Sequence, residues 1–109
     1  MIILRIIMNV LEEKHLELTQ TLHSLIEPVG SETGCKSYSV SCDIHEKNRF
    51  YLMEEWETRE DMDRHIKSNR FGVLLGTQTL LRNPLNLKIY SVSHLQGMER
   101  VKKIRTKLA

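Results

Sequence analysis

Residues 2–10, IILRIIMNV, are dense in β-branched side chains, with Leu4, Ile6 and Met8 on one face of an extended chain. Ile3, Arg5, Ile7 and Asn9 take the other face, and the run predicts a strand buried on both sides. From Leu11 the period changes. Leu11, His15, Leu18, Leu22, Leu25 and Ile26 recur at three and four, which predicts an amphipathic helix ended by Pro28 and Gly30. The segment CKSYSVSCD then alternates, Tyr38, Val40 and Cys42 against Ser37, Ser39 and Ser41. IHEKN reads as a turn, and residues 49–57 as the antiparallel hairpin partner.

Thr58 and Asp61 form an [ST]-x-x-[DE] capping box that starts a short helix at Arg59. Ser68-Asn69 breaks it, and a further helix follows with Phe71, Leu74, Leu75 and Leu81 inward, closed by Asn83-Pro84. NLKIYSVSH, residues 86–94, is the last strand. The order β-α-β-β-α-α-β is the split pattern of a ferredoxin-like α+β fold with an antiparallel sheet. Helices cover one face of such a sheet, yet strands 1 and 3 are apolar on both. A second copy of the chain is therefore expected on the open face, closing a dimeric α/β barrel.

A chain of 109 residues has room for one domain. No apolar run approaches the ~20 residues of a membrane span, and the apolar N-terminus leads straight into a charged helix, as a strand does and a signal peptide does not. Cys35 and Cys42 make neither a metal signature nor a disulfide framework, and a spacing of seven puts them on opposite faces of one strand. A cytoplasmic protein is expected.

The net charge of +2 conceals an asymmetry: before residue 95 there are 11 basic and 13 acidic side chains, after it five basic and one acidic. The boundary divides a domain, 1–94, from a basic extension, 95–109. Met98, Val101, Ile104 and Leu108 repeat at three and four, so the extension reads as an amphipathic helix that packs on its own dimer. Neither nucleic acid nor a membrane is the expected partner.

Trp56, the only tryptophan, ends the third strand one residue before the Thr58 cap, so its ring is expected at the rim of the sheet. There it could stack on a planar aromatic ligand. His65 shares a helix face with Met62 and Ile66, points inward, and is a candidate base at neutral pH. Asn9 offers a neutral donor and acceptor for a carbonyl or phenol oxygen. Arg5, on the face of Asn9, is expected to bind an anionic group or to pair across the barrel with Glu54, which shares the face of Trp56. A buried charge without a partner is too costly to leave standing. Tyr38 reads as a packed aromatic rather than a proton donor. His15, His23, His45 and His94 show no ligand spacing, so no metal site is expected.

Gly34-Cys35-x-x-Tyr38-x-Val40, Glu55 and Glu57 around Trp56, His65, and Ser68-x-x-Phe71 resemble the antibiotic biosynthesis monooxygenase domain, a dimeric α/β barrel family. The resemblance covers residues 2–94. It implies a cofactor-independent monooxygenase acting on a small phenolic, quinol or anthrone-like compound. His65 would then be the base or its orienter, Asn9 the oxygen-binding group and Trp56 the stacking wall, with Arg5, Tyr38, Glu54 and Phe71 around the substrate. The alternatives are a non-catalytic dimeric module that binds a metabolite or a protein, and an isomerase using the same pocket. Asn9 and Trp56 also resemble the haem-degrading branch, but residues 71–78, FGVLLGTQ, lack the axial histidine that branch needs. Arg70 stands where many relatives carry histidine in a Ser-Pro-His-Phe run.

Overall fold

The structure is a computed structural model that describes residues 1–108, with side chains through Thr106. Four strands, β1 (Ile2–Asn9), β2 (Cys35–Cys42), β3 (Arg49–Trp56) and β4 (Asn86–Ser91), form one sheet in the order β2-β3-β1-β4. Every neighbouring pair is antiparallel. Helices α1 (His15–Gly30), α2 (Arg59–Ile66) and α3 (Asn69–Gly76) cover one face, and α4 (Met98–Leu108) follows β4. This is the ferredoxin-like α+β arrangement.

The core lies between the sheet and its helices. Leu4, Ile6 and Met8 of β1 and Leu52 and Trp56 of β3 meet Leu18 and Leu22 of α1, Met62 of α2, and Phe71 and Leu74 of α3. The strand pleat puts alternate residues of β1 and β3 on this inner face, which is why the burial pattern of β1 alternates along its whole length. Thr58 and Ser68 cap α2 and α3: their hydroxyl oxygens accept from the backbone N–H of Asp61 (3.1 Å) and Phe71 (3.2 Å). Two short helices therefore start ten residues apart and fold back over the end of β3.

Several boundaries differ from the periodic reading. Pro28 lies inside α1, which runs on to Gly30, because near a helix end a proline removes only one hydrogen bond. Leu75 is exposed, and Thr77 and Leu80 are buried beyond it. The chain tightens to a 3₁₀ turn at Thr77–Leu80, and that shorter period rotates the inward face. A β-bulge between Cys35 and Ser37 also shifts register. It sets Cys35 opposite Trp56 and Cys42 opposite Phe50, so the two cysteines occupy one face rather than two. Both thiols are free.

The outer face carries Ile3, Ile7, Tyr51, Met53 and Tyr90, of which Met53 and Tyr90 are 40% and 41% exposed. Every described side chain from Met98 to Thr106 is exposed, so the predicted stripe of α4 is uncovered; Leu108 lies outside the described side chains. The radius of gyration, 16.4 Å, exceeds the ~13 Å of a compact chain of this length.

Candidate functional site

At the C-terminal end of β3 a group of polar side chains is buried inside the domain. Glu54 and Trp56 both point to the inner face, two residues apart, and neither has any exposed surface. The Trp56 indole N–H donates to Glu54 Oε1 at 2.9 Å. Two turns of α2 beyond its cap carry His65 over the indole, ring on ring, with centroids 4.7 Å apart and planes 28° from parallel. Phe71, the first buried residue of α3, meets the imidazole edge-on at 5.4 Å. The Thr58 and Ser68 caps thus set the angle at which His65 and Phe71 close over the strand end.

Both ring nitrogens of His65 face carboxylates. Nε2 lies 3.3 Å from Glu54 Oε2. Nδ1 lies 3.0 and 3.1 Å from the two oxygens of Glu32. Glu32 belongs to the turn between α1 and β2, where its N–H donates to Val29 O and its carbonyl accepts from Cys35 N–H. Arg70 on α3 reaches Glu32 Oε2 at 3.5 Å from the half-exposed surface.

The charges set the protonation. Burial pulls the His65 imidazole toward its neutral form, but the hydrogen bond and charge of Glu54, then those of Glu32, outweigh it, and the net shift is upward. The two carboxylates thus favour the imidazolium more than water does. Tyr38 lies directly opposite Glu54 on β2. Burial, and then the Glu54 charge, holds its phenol well above the ordinary tyrosine value. The Cys35 thiol is also raised, by burial first and then by Glu54 and Glu32. The two carboxylates approach opposite edges of one ring, and among the described residues no three His, Cys, Asp or Glu groups converge as metal ligands.

Five of the seven residues singled out from the sequence, His65, Trp56, Glu54, Tyr38 and Phe71, thus occupy one inner-face region. Asn9 and Arg5 do not. Asn9 lies at the far end of β1, opposite Arg49, and its Oδ1 accepts from Arg49 Nε at 2.9 Å. Arg5 lies on the outer face, its guanidinium 5.8 Å above the Tyr51 ring. The expected Arg5–Glu54 pair is not formed. The register sets Leu4 opposite Glu54 and Arg5 opposite Met53, so the sheet separates the two charges. Trp56 is not at a rim either, because α2 folds directly over it.

Glu32 escaped the sequence reading. It sits in a non-periodic turn, SETG, whose only local signal is Gly34, with a left-handed φ of +82°. A cleft of about 250 Å³ lies between α1 and β2, lined by Leu22, Ile26, Val40 and Phe50 among others. It is at the opposite end of β3 from Trp56.

Residues 1–74 match the family model for antibiotic biosynthesis monooxygenase. An uncharacterized protein of Synechocystis is 36% identical over 88 residues, covering 80% of this chain. The match spans 58% of that relative's length. Among solved structures, a conserved protein from Methanosarcina mazei is 28% identical with a TM-score of 0.77, covering 82% of this chain and 89% of its own. A Deinococcus radiodurans protein, named as a candidate antibiotic biosynthesis monooxygenase, has a TM-score of 0.82 at 21% identity. It covers 89% of this chain and 97% of its own, and at that identity supports the fold alone. With the family model spanning β1 through most of α3, the chain belongs to the antibiotic biosynthesis monooxygenase family.

Proposed function

We propose that the protein is a cofactor-independent monooxygenase that oxidises a small phenolic, quinol or anthrone-like compound, with His65 as its proton shuttle. The observation that supports this is the imidazole held between two carboxylates and stacked on a fully buried indole. A plain core has no use for such a group, because desolvating three ionisable side chains opposes folding.

In this reading α2 and α3 must move off the end of β3 to admit the substrate, because Trp56, His65 and Phe71 are buried in the closed site; the substrate ring then lies against Trp56 and Phe71. It displaces Glu54 from Nε2, the longer of the two contacts. Neutral His65 takes a proton from the activated ring methylene through Nε2, and the resulting carbanion adds to dioxygen. His65 returns the proton to the peroxide and takes the second C–H proton as the O–O bond breaks. It then protonates the departing hydroxide. The balance is one methylene and one dioxygen to one carbonyl and one water, with all four electrons supplied by the substrate. The same chain would form a homodimer through the outer sheet face. Residues 95–109 would form an extension that reaches the second copy, since the basic α4 complements a domain with a net charge of −2.

The test is oxygen uptake by chelator-treated protein with a panel of quinols and anthrones. Stoichiometric uptake that is lost in His65→Gln supports the reading, and no uptake across the panel sinks it. One observation favours the non-catalytic dimeric binding module instead. Among the described residues, every buried side-chain polar atom already has a partner, so the site is fully satisfied without a substrate.

A further inference from the structure

We infer that Glu32 is the positioning residue of this site: with Arg70 behind it, it fixes neutral His65 as the Nδ1–H tautomer and leaves Nε2 as the acceptor. The inference rests on the proposed role of His65 as a base, and it adds a residue and a direction to it.

The two sides of the imidazole are not equivalent. Nδ1 meets both oxygens of Glu32, at 3.0 and 3.1 Å, whereas Nε2 meets one oxygen of Glu54 at 3.3 Å. Glu54 is also committed elsewhere, because its other oxygen accepts the Trp56 N–H. Glu32 is restrained on three sides: by its own N–H to Val29 O, by Cys35 N–H on its carbonyl, and by Arg70 on its carboxylate. When the imidazolium loses one proton, the shorter and doubled contact keeps the proton on Nδ1. Nε2 is then left as a lone pair toward Glu54 Oε2, beside Trp56, and is open to a substrate once that carboxylate is displaced. A reversed tautomer would aim the lone pair at Glu32 and leave no base on the side of the indole.

The groups facing His65 come from every packed element. Glu54 of β3 and Glu32 of the α1–β2 turn supply negative charge, and Arg70 of α3 supplies positive charge behind Glu32. Tyr38 and Cys35 of β2 are both held in their neutral forms by burial and by the same carboxylates. Glu32 and Arg70 are therefore the pair that can be altered without touching the inner face.

The experiment is ¹⁵N NMR of the histidine rings in the full chain, without substrate, followed across pH. The wild type should show the His65 Nδ1–H tautomer in its neutral form. Glu32→Gln should mix the tautomers and move the His65 titration to lower pH; Glu32→Asp should restore the wild-type tautomer. Arg70→Gln, at a half-exposed position where folding is not at stake, should move the titration to higher pH by removing the cation. An Nε2–H tautomer in the wild type, or a tautomer that responds to Glu54→Gln and not to Glu32→Gln, overturns the inference. Where a substrate is turned over, Glu32→Gln should lower kcat about tenfold or more with KM little changed, and its rising pH limb should move toward acid. The ring spectra decide the role of Glu32 even if no compound in the panel is oxidised, so failure of the oxygenase reading is told apart from failure of this one.

Discussion

Replacing Trp56 with phenylalanine removes two things that the structure places together, an indole N–H and the volume around it. The N–H donates to Glu54 Oε1 at 2.9 Å, and Glu54 has no exposed surface. A hydrogen bond to a buried charged acceptor is worth about 1.5–3 kcal/mol, and no water takes its place in a closed site. The benzyl group leaves a gap of ~40 Å³ under α2, and at about 24 cal/mol per Å³ the cavity costs roughly 1 kcal/mol more. The sum is about 3 kcal/mol, which for a domain of this size lowers the melting temperature by roughly 10–20 °C.

Because the substitution deletes the only tryptophan, unfolding must be followed by circular dichroism, in urea and on heating. A double-mutant cycle with Glu54→Gln isolates the charged bond: Trp56→Phe should cost about 1 kcal/mol less once Glu54 is neutral. A loss below about 1 kcal/mol for Trp56→Phe, with no coupling to Glu54, would refute the buried indole–carboxylate bond. A filler at the rim of the sheet would give that result, and the burial of Trp56 argues against it.

Three further outcomes follow from named contacts. His65 has a folded-state value above its ordinary 6.5, so its stabilisation is complete below that pH and is lost as pH rises through the folded value. Urea unfolding from about pH 6 to 9 should show falling stability in the wild type and a flatter profile in His65→Gln. Gly34→Ala puts a methyl group against the Asp61 carboxylate at a φ of +82°, and should cost about 1–2 kcal/mol by thermal melting; a neutral result would mean that the α1–β2 turn relaxes freely. Deleting residues 97–109 should leave unfolding of the domain within about 0.5 kcal/mol, because the described side chains of α4 are exposed. The same deletion should weaken the dimer about tenfold by sedimentation, equivalent to ~1.4 kcal/mol. An unchanged dimer, together with salt-sensitive binding to anionic vesicles, would assign the extension to a membrane surface.

The order of elements, the inner faces of β1 and β3 and the caps at Thr58 and Ser68 were legible in the chain, because each depends on residues within a few positions of one another. Period two and period 3.6 report local geometry, and a capping hydroxyl bonds to an amide three residues on. The inward direction of His65 followed from the same periodicity. What it meets there did not. Whether Glu54 faced Arg5 or Leu4 was decided by strand register, and one residue of slip exchanges the two faces of the sheet. The bulge beside Cys35, which places both cysteines on one face, likewise exists only in the pairing of β2 with β3. Glu32 reaches His65 across 33 positions from a turn without periodicity, so no local pattern could announce it. Sequence alone determined the scaffold and which side chains point into it. Tertiary structure alone decided which charges share a face, because that depends on how distant segments align.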